Sequence, residues 1–133
     1  MLKFMLDTNI CIFTIKNKLD VARQAFNLHQ GQLCVSTITA MELIYGAEKS
    51  AAPAKNQAVV DGFLARLDVL DFDRAAAAYT GQRRAELAKI GVPIGPYDAM
   101  TAAHARSQGF VLLTNNTREF VRVAGLRLEY WTA

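Results

Sequence analysis

The chain has little of what staples or anchors a protein. Its two cysteines, Cys11 and Cys34, lie in apolar surroundings with no C-x-x-C spacing, so no disulfide framework is implied and both read as reduced core thiols. The longest uninterrupted apolar run, Ala75 to Tyr79, falls far short of the ~18 residues that a membrane span requires. The apolar start at Phe4, Met5 and Leu6 is cut by Asp7 before a signal-peptide core could form. A cytoplasmic protein without membrane contact is expected. Charge of one sign is scarce too: 15 lysines and arginines against 12 acids leave +3, mild for a reader of duplex DNA yet favourable towards a phosphate backbone. There are 2 histidines; His29 falls at a polar helix end, and His104 is six residues past Asp98 on another helix face, so both read as surface or packing residues.

What is present is core. With 133 residues, 52% hydrophobic and 20% charged, the chain has enough apolar surface to exclude disorder. Its length fits one domain spanning residues 1–133. Four runs rich in aliphatic and β-branched residues read as buried parallel-type strands: Leu2 to Leu6, Leu33 to Val35, Val69 to Phe72 and Phe110 to Thr114, with a weaker fifth from Leu126 to Tyr130. Between them, helical spacing covers Thr8 to Lys16, Asp20 to Gln30, Ile38 to Lys49, Lys55 to Leu67, Arg74 to Ile90 and Tyr97 to Gln108. No internal repeat or low-complexity tract interrupts them, and Gly31, Ala51-Ala52-Pro53 and Gly91 to Pro96 mark the breaks. Strands alternating with helices predict an α/β domain with a mostly parallel sheet of four to five strands.

In such a sheet, ligands bind at the carboxyl ends of the strands. Asp7 closes the first strand, Glu42 lies in the helix after the second, and Asp98 lies just inside the helix opened by Gly95-Pro96-Tyr97. Asn116 and Glu119 follow the fourth strand near the same edge. Each acid has an ordinary use: Asp7 as an N-cap, Glu42 in a capping-box spacing with Thr39, Asp98 at the positive end of a helix dipole. Capping does not require convergence, however. Carboxylates about 4 Å apart repel by about 4 kcal/mol at an effective dielectric near 20, so a cluster keeps a proton or takes a cation. An all-oxygen donor set favours Mg²⁺ or Mn²⁺ over zinc.

The ordered set Met5-Leu6-Asp7-Thr8-Asn9, Ser36-x-x-Thr39-x-x-Glu42-Leu43-x-x-Gly46, Pro96-Tyr97-Asp98 with Ala102, and Leu113-Thr114-x-Asn116 ending in Glu119-Phe120 resembles the PIN-domain ribonucleases. More narrowly it resembles VapC-type toxins of bacterial type II toxin–antitoxin systems. The likeness runs to Gly125-Leu126-Arg127 and Trp131, essentially the whole chain. It implies a three-layer α/β/α fold in which Asp7 and Asp98 hold Mg²⁺ and Glu42 completes the acidic pocket. Thr8 and Asn9 match polar residues beside the first aspartate, and Thr114 a buttressing threonine. Asn116 departs from the pattern, since many PIN domains carry aspartate there, and either Asn116 or Glu119 completes the site. The resemblance further implies a homodimer, neutralisation by a VapB-type antitoxin in a larger assembly, and a structured RNA as substrate, for the narrower group initiator tRNA cut in its anticodon region.

The chemistry that follows is metal-assisted hydrolysis of a phosphodiester without a side-chain nucleophile, with Glu42 orienting or deprotonating water. Basic candidates for RNA contact are Lys16, Lys18, Arg83, Arg84, Arg118 and Arg122, although Arg83 and Arg84 equally suit a solvated helix face. Three other readings fit less well. A phosphatase using Asp7 as nucleophile lacks the second aspartate at position 9, where Asn9 stands. A receiver-type phosphoacceptor lacks a lysine after the late strand. A non-catalytic RNA-binding module has no reason to retain Asp7, Glu42 and Asp98 together, though Asn116 suits it.

Overall fold

A computed structural model describes residues 1–16, 21–123 and 125–129. In chain order the elements are β1 (Phe4–Leu6), α1 (Thr8–Lys16), α2 (Val21–Leu28), β2 (Leu33–Ser36), α3 (Thr37–Glu48), α4 (Pro53–Leu64), β3 (Asp68–Leu70), α5 (Arg74–Lys89), α6 (Pro96–Gln108), β4 (Val111–Leu113), α7 (Thr117–Phe120) and β5 (Leu128–Glu129). The five strands form one sheet in the order β3-β2-β1-β4-β5, and every pairing is parallel.

The period-2 alternation of a strand sorts side chains into two cores. Phe4, Leu6, Leu33, Val35, Val111 and Leu113 point to one face, where they meet Ile10 and Cys11 of α1, Phe26 of α2, Leu43 of α3 and Phe63 of α4. Met5, Cys34 and Leu112 point to the other, against Leu87 of α5 and Ala99, Ala102 and Ala105 of α6. This is the three-layer α/β/α arrangement, and alanines let α6 lie close to the sheet. Both cysteines are buried free thiols, as expected.

The central strands are buried on both faces, but β3 is not. It forms an edge at Asp68–Leu70 with Val69 41% exposed, which corrects the expectation of a buried strand running to Phe72. An edge strand has a neighbour on one side only, so apolar sequence alone did not reveal its exposure. Phe72 instead turns its ring edge-on to His104 at 5.6 Å. His104 is fully buried with neither ring nitrogen hydrogen-bonded, a packing residue, and burial holds its pKa below the ordinary histidine value. The short helix α7 was not foreseen, and the expected ends of helix two at Asp20 and strand five at Tyr130, with Lys18 and Trp131, lie outside the described residues.

Strand order determines where a ligand site falls. From β1 the chain crosses to β2 on one side, while β4 pairs on the other, so the order reverses between β1 and β4. The crevice of a parallel sheet opens at such a switch point, outside the carboxyl ends of the two strands. Leu112 sits at the centre of this pair, opposite Met5 and fully buried. Leu112→Ala is expected to cost about 2–5 kcal/mol of stability, read as a lowered urea midpoint with an unchanged slope.

Candidate active site

Asp7 and Thr114 stand at the head of that crevice because the ladder continues past the strands. The Asp7 N–H donates to the Leu113 carbonyl at 3.0 Å, and the Thr114 N–H to the Glu129 carbonyl at 3.1 Å. The Asp7 carboxylate is 2% exposed and accepts on both oxygens: Oδ1 from the Ile10 N–H at 2.8 Å, Oδ2 from the Thr114 hydroxyl at 2.5 Å. The first bond is the ordinary cap of α1, and it leaves Oδ2 to the bond from Thr114. Burial pushes its pKa up to about 6, opposed by the bonds from Thr114 and Ile10 and reinforced by the charges of Asp98 and Glu42.

Helix α3 begins on Ser36, whose hydroxyl accepts from the Ile38 N–H at 3.1 Å, and this places Glu42 in its second turn. The Thr39–Glu42 capping pair expected from the spacing is not made. The Thr39 hydroxyl is buried without a partner, and Glu42 Oε1 instead accepts from the Thr8 hydroxyl at 2.6 Å. The cap belongs to Ser36 because the helix starts three residues earlier than the capping-box register requires. The pair Asp7-Thr8 thus engages two acids' worth of the site: one residue supplies a carboxylate and the next orients another.

Gly95 is the N-cap of α6, Pro96 its first residue, and Asp98 falls half-buried in the first turn. Burial raises the Asp98 pKa, and the negative charges of Glu119 and then Glu42 raise it further. Glu119, on α7, accepts from the Gly95 N–H at 3.4 Å and from the Asn116 side-chain amide at 3.3 Å. Asn116 in turn donates its backbone N–H to the Thr114 hydroxyl at 2.8 Å. Four separated segments, β1 into α1, α3, the head of α6 and β4 into α7, therefore meet at one sheet edge; the charges of Asp98 and Glu42 act on Asp7, and those of Glu119 and Glu42 act on Asp98. The Gly95 amide was not singled out from the sequence, although a glycine before a helix-opening proline is the available signal.

The residues fit a divalent cation by donor chemistry: oxygen ligands only, two of them held neutral-prone by burial and mutual repulsion that a cation would relieve. Among the described residues, no three of these side chains are gathered into a finished cage. The acids share a field rather than a socket. Of the other expected residues, Asn9 is exposed beside Asp7, and Lys16 ends α1 on the rim of a groove. That groove, about 370 Å³, runs between α1, α3 and α4 and is lined by Ile12, Ile15, Gly46 and Val59 together with Glu42. Arg83 is held in an ion pair with Glu86 at 2.9 Å, its side chain largely buried rather than on a solvated face. Arg84 is exposed beside Pro93 and Ile94 of the loop entering α6, and Arg118 and Arg122 are exposed on and just after α7.

A parallel sheet with acids at its switch point defines a class, and comparison with known proteins agrees. The PIN domain family model matches residues 4–126, and the chain belongs to the PIN-domain family, among the VapC ribonucleases. It is 65% identical, over 99% of its length and 100% of the relative's, to the tRNA(fMet)-specific endonuclease VapC of Shigella flexneri. A protein of that name from Salmonella typhimurium is 63% identical over 98% of this chain and 99% of its own. Among solved structures, DNA-bound VapBC from Salmonella typhimurium superposes with a TM-score of 0.95 at 63% identity, covering 98% of this chain and 99% of that one. VapBC2 from Rickettsia felis, bound to a promoter DNA fragment, gives 0.92 at 37% identity with 98% and 99% covered.

The raised Asp7 pKa carries a stability consequence. An acid with folded pKa near 6 against an unfolded value near 3.8 retains its proton only in the native state between those limits. Stability conferred by the neutral form is therefore present below pH 3.8 and lost as pH rises through 6, about 3 kcal/mol in all. In urea melts of metal-free protein, the difference between Asp7→Asn and wild type should shift by about that amount in favour of the variant between pH 4 and pH 7.5.

Proposed function

We propose that the chain is a divalent-metal-dependent endoribonuclease of the toxin–antitoxin kind, cleaving tRNA in the cytoplasm and thereby stopping translation. Initiator tRNA cut near its anticodon is the proposed substrate, in keeping with the name carried by the relatives from Shigella flexneri and Salmonella typhimurium. One observation carries the reading: acids from separate segments converge on a single switch-point edge, where Asp98 and Glu42 bear on Asp7, and Glu119 and Glu42 bear on Asp98. Mere helix capping would satisfy each acid separately.

Asp7 and Asp98 are the residues that would hold Mg²⁺, or Mn²⁺ in its place. Bound there, the ion would supply Lewis-acid stabilisation of the phosphate and a lower pKa for the attacking water. Thr114 and Ile10 fix both Asp7 oxygens, so the side chain is oriented before any ligand arrives. Glu42, steered by Thr8, is the proposed base that takes the proton from water, and Glu119 is the fourth carboxylate. Arg84, Arg118 and Lys16, with Arg83 if it leaves Glu86, are the proposed phosphate contacts.

The groove beside Glu42 supports a protein partner as well. It joins apolar walls to a cationic and an acidic rim, which suits a VapB-type antitoxin segment laid against the active edge. The solved VapBC complexes are consistent with such a partner. Met41, Ile44 and Tyr45 leave an exposed apolar stripe on α3, and a homodimer is proposed to cover it.

Purified protein free of antitoxin should cut total tRNA into discrete fragments with Mg²⁺ and none with EDTA. Asp7→Asn and Asp98→Asn should reduce cleavage to background while melting cooperatively, and Glu42→Gln should lose about 10²–10⁴-fold in rate. Full activity in the Asp7 or Asp98 variant would overturn the assignment. RNA retention without cleavage by folded wild-type protein would favour a binding module instead.

A further inference from the structure

The acid edge has two halves, Asp7 on β1 and Asp98 at the head of α6, and Asn116 is bonded towards both. Its backbone N–H donates to Thr114 Oγ1 at 2.8 Å. A hydroxyl has one proton, so Thr114, accepting there, directs that proton to Asp7 Oδ2 at 2.5 Å. The side-chain amide of Asn116 donates to Glu119 Oε2 at 3.3 Å, and Glu119 Oε1 accepts from the Gly95 N–H at 3.4 Å. Gly95 caps α6, and a methyl group on it would stand 3.8 Å from Asp98 Oδ2. Glu119 thus bridges the loop after β4 to the helix that carries Asp98, and the bridge depends on a donor at position 116. An aspartate there would set two acceptors face to face.

On the footing of the nuclease reading above, we propose that Asn116 is a positioning residue acting through Glu119: its amide holds Glu119 against Gly95 and so sets where Asp98 stands relative to Asp7, without itself binding the ion. The departure from the common aspartate is then a change of role rather than a lost ligand.

A double-mutant cycle tests this, using wild type, Asn116→Ala, Glu119→Ala and the double variant, each first shown to melt cooperatively. One readout is Mn²⁺ affinity of the full chain without RNA, by electron paramagnetic resonance titration. The other is kcat and KM for tRNA cleavage with Mg²⁺. Asn116→Ala should weaken Mn²⁺ binding and lower kcat by about 10- to 100-fold, the range for outer partners of metal ligands, with KM little changed. Those losses should vanish in the Glu119→Ala background, because the two residues act as one unit. Asn116→Asp, nearly isosteric and the alternative should alanine unfold the chain, should also lose kcat. Losses that persist undiminished without Glu119, no change in either readout, or an Asn116→Asp protein that binds Mn²⁺ more tightly and cleaves faster would each overturn the proposal. Wild type that binds Mn²⁺ but cleaves no RNA would remove the nuclease reading alone, leaving the Mn²⁺ cycle to decide on Asn116. Wild type that does neither overturns both.

Discussion

The structure turns on a carboxylate placed at the end of its central strand and removed from water. Asp7 is 2% exposed, and a buried ionised acid is tolerable only if its oxygens are bonded and its charge is shared or neutralised. Both oxygens are bonded, one to the helix that follows in sequence and one to a residue 107 positions away. The local bond would form in any chain that turns from this strand into this helix. The distant bond requires β4 to lie beside β1 in register, Phe4 against Val111 and Leu6 against Leu113. The sheet and the site are therefore stabilised by one interaction, and neither is independent of the other.

Among the described residues, the acids around that centre are held by light restraints rather than by countercharges. Thr8 orients Glu42, Thr114 orients Asp7, and the Gly95 and Asn116 amides orient Glu119. Neutral donors fix direction without cancelling charge, as an arginine or lysine would. Burial first, and then the neighbouring acids, therefore raise the pKa values of Asp7 and Asp98, an electrostatic cost of the kind expected where function rather than stability selects the residues. On α5, Arg83 pairs its charge with Glu86 of its own helix.

The same edge meets the apolar groove through Glu42, which belongs at once to the acid cluster and to the groove's lining. A partner filling the groove necessarily approaches the carboxylates. Inhibition by occupation of such a surface would need no conformational relay, only contiguity.

The amino-acid sequence by itself determined the alternation of strands and helices, the all-oxygen character of the site and which acids fall at strand ends. Each of these is local: β-branched runs, helical spacing, a proline at the start of α6 and an aspartate after Leu6 act within a few residues. Tertiary structure decided what depends on neighbours distant in the chain. It placed β3 at an exposed edge, buried His104 against Phe72, gave Glu42 to Thr8 rather than to Thr39, and made Asn116 a bridge between Thr114 and Glu119. A side chain with two possible partners, one near in sequence and one far, takes whichever the packed sheet brings into hydrogen-bond range. That choice is not written in any single segment.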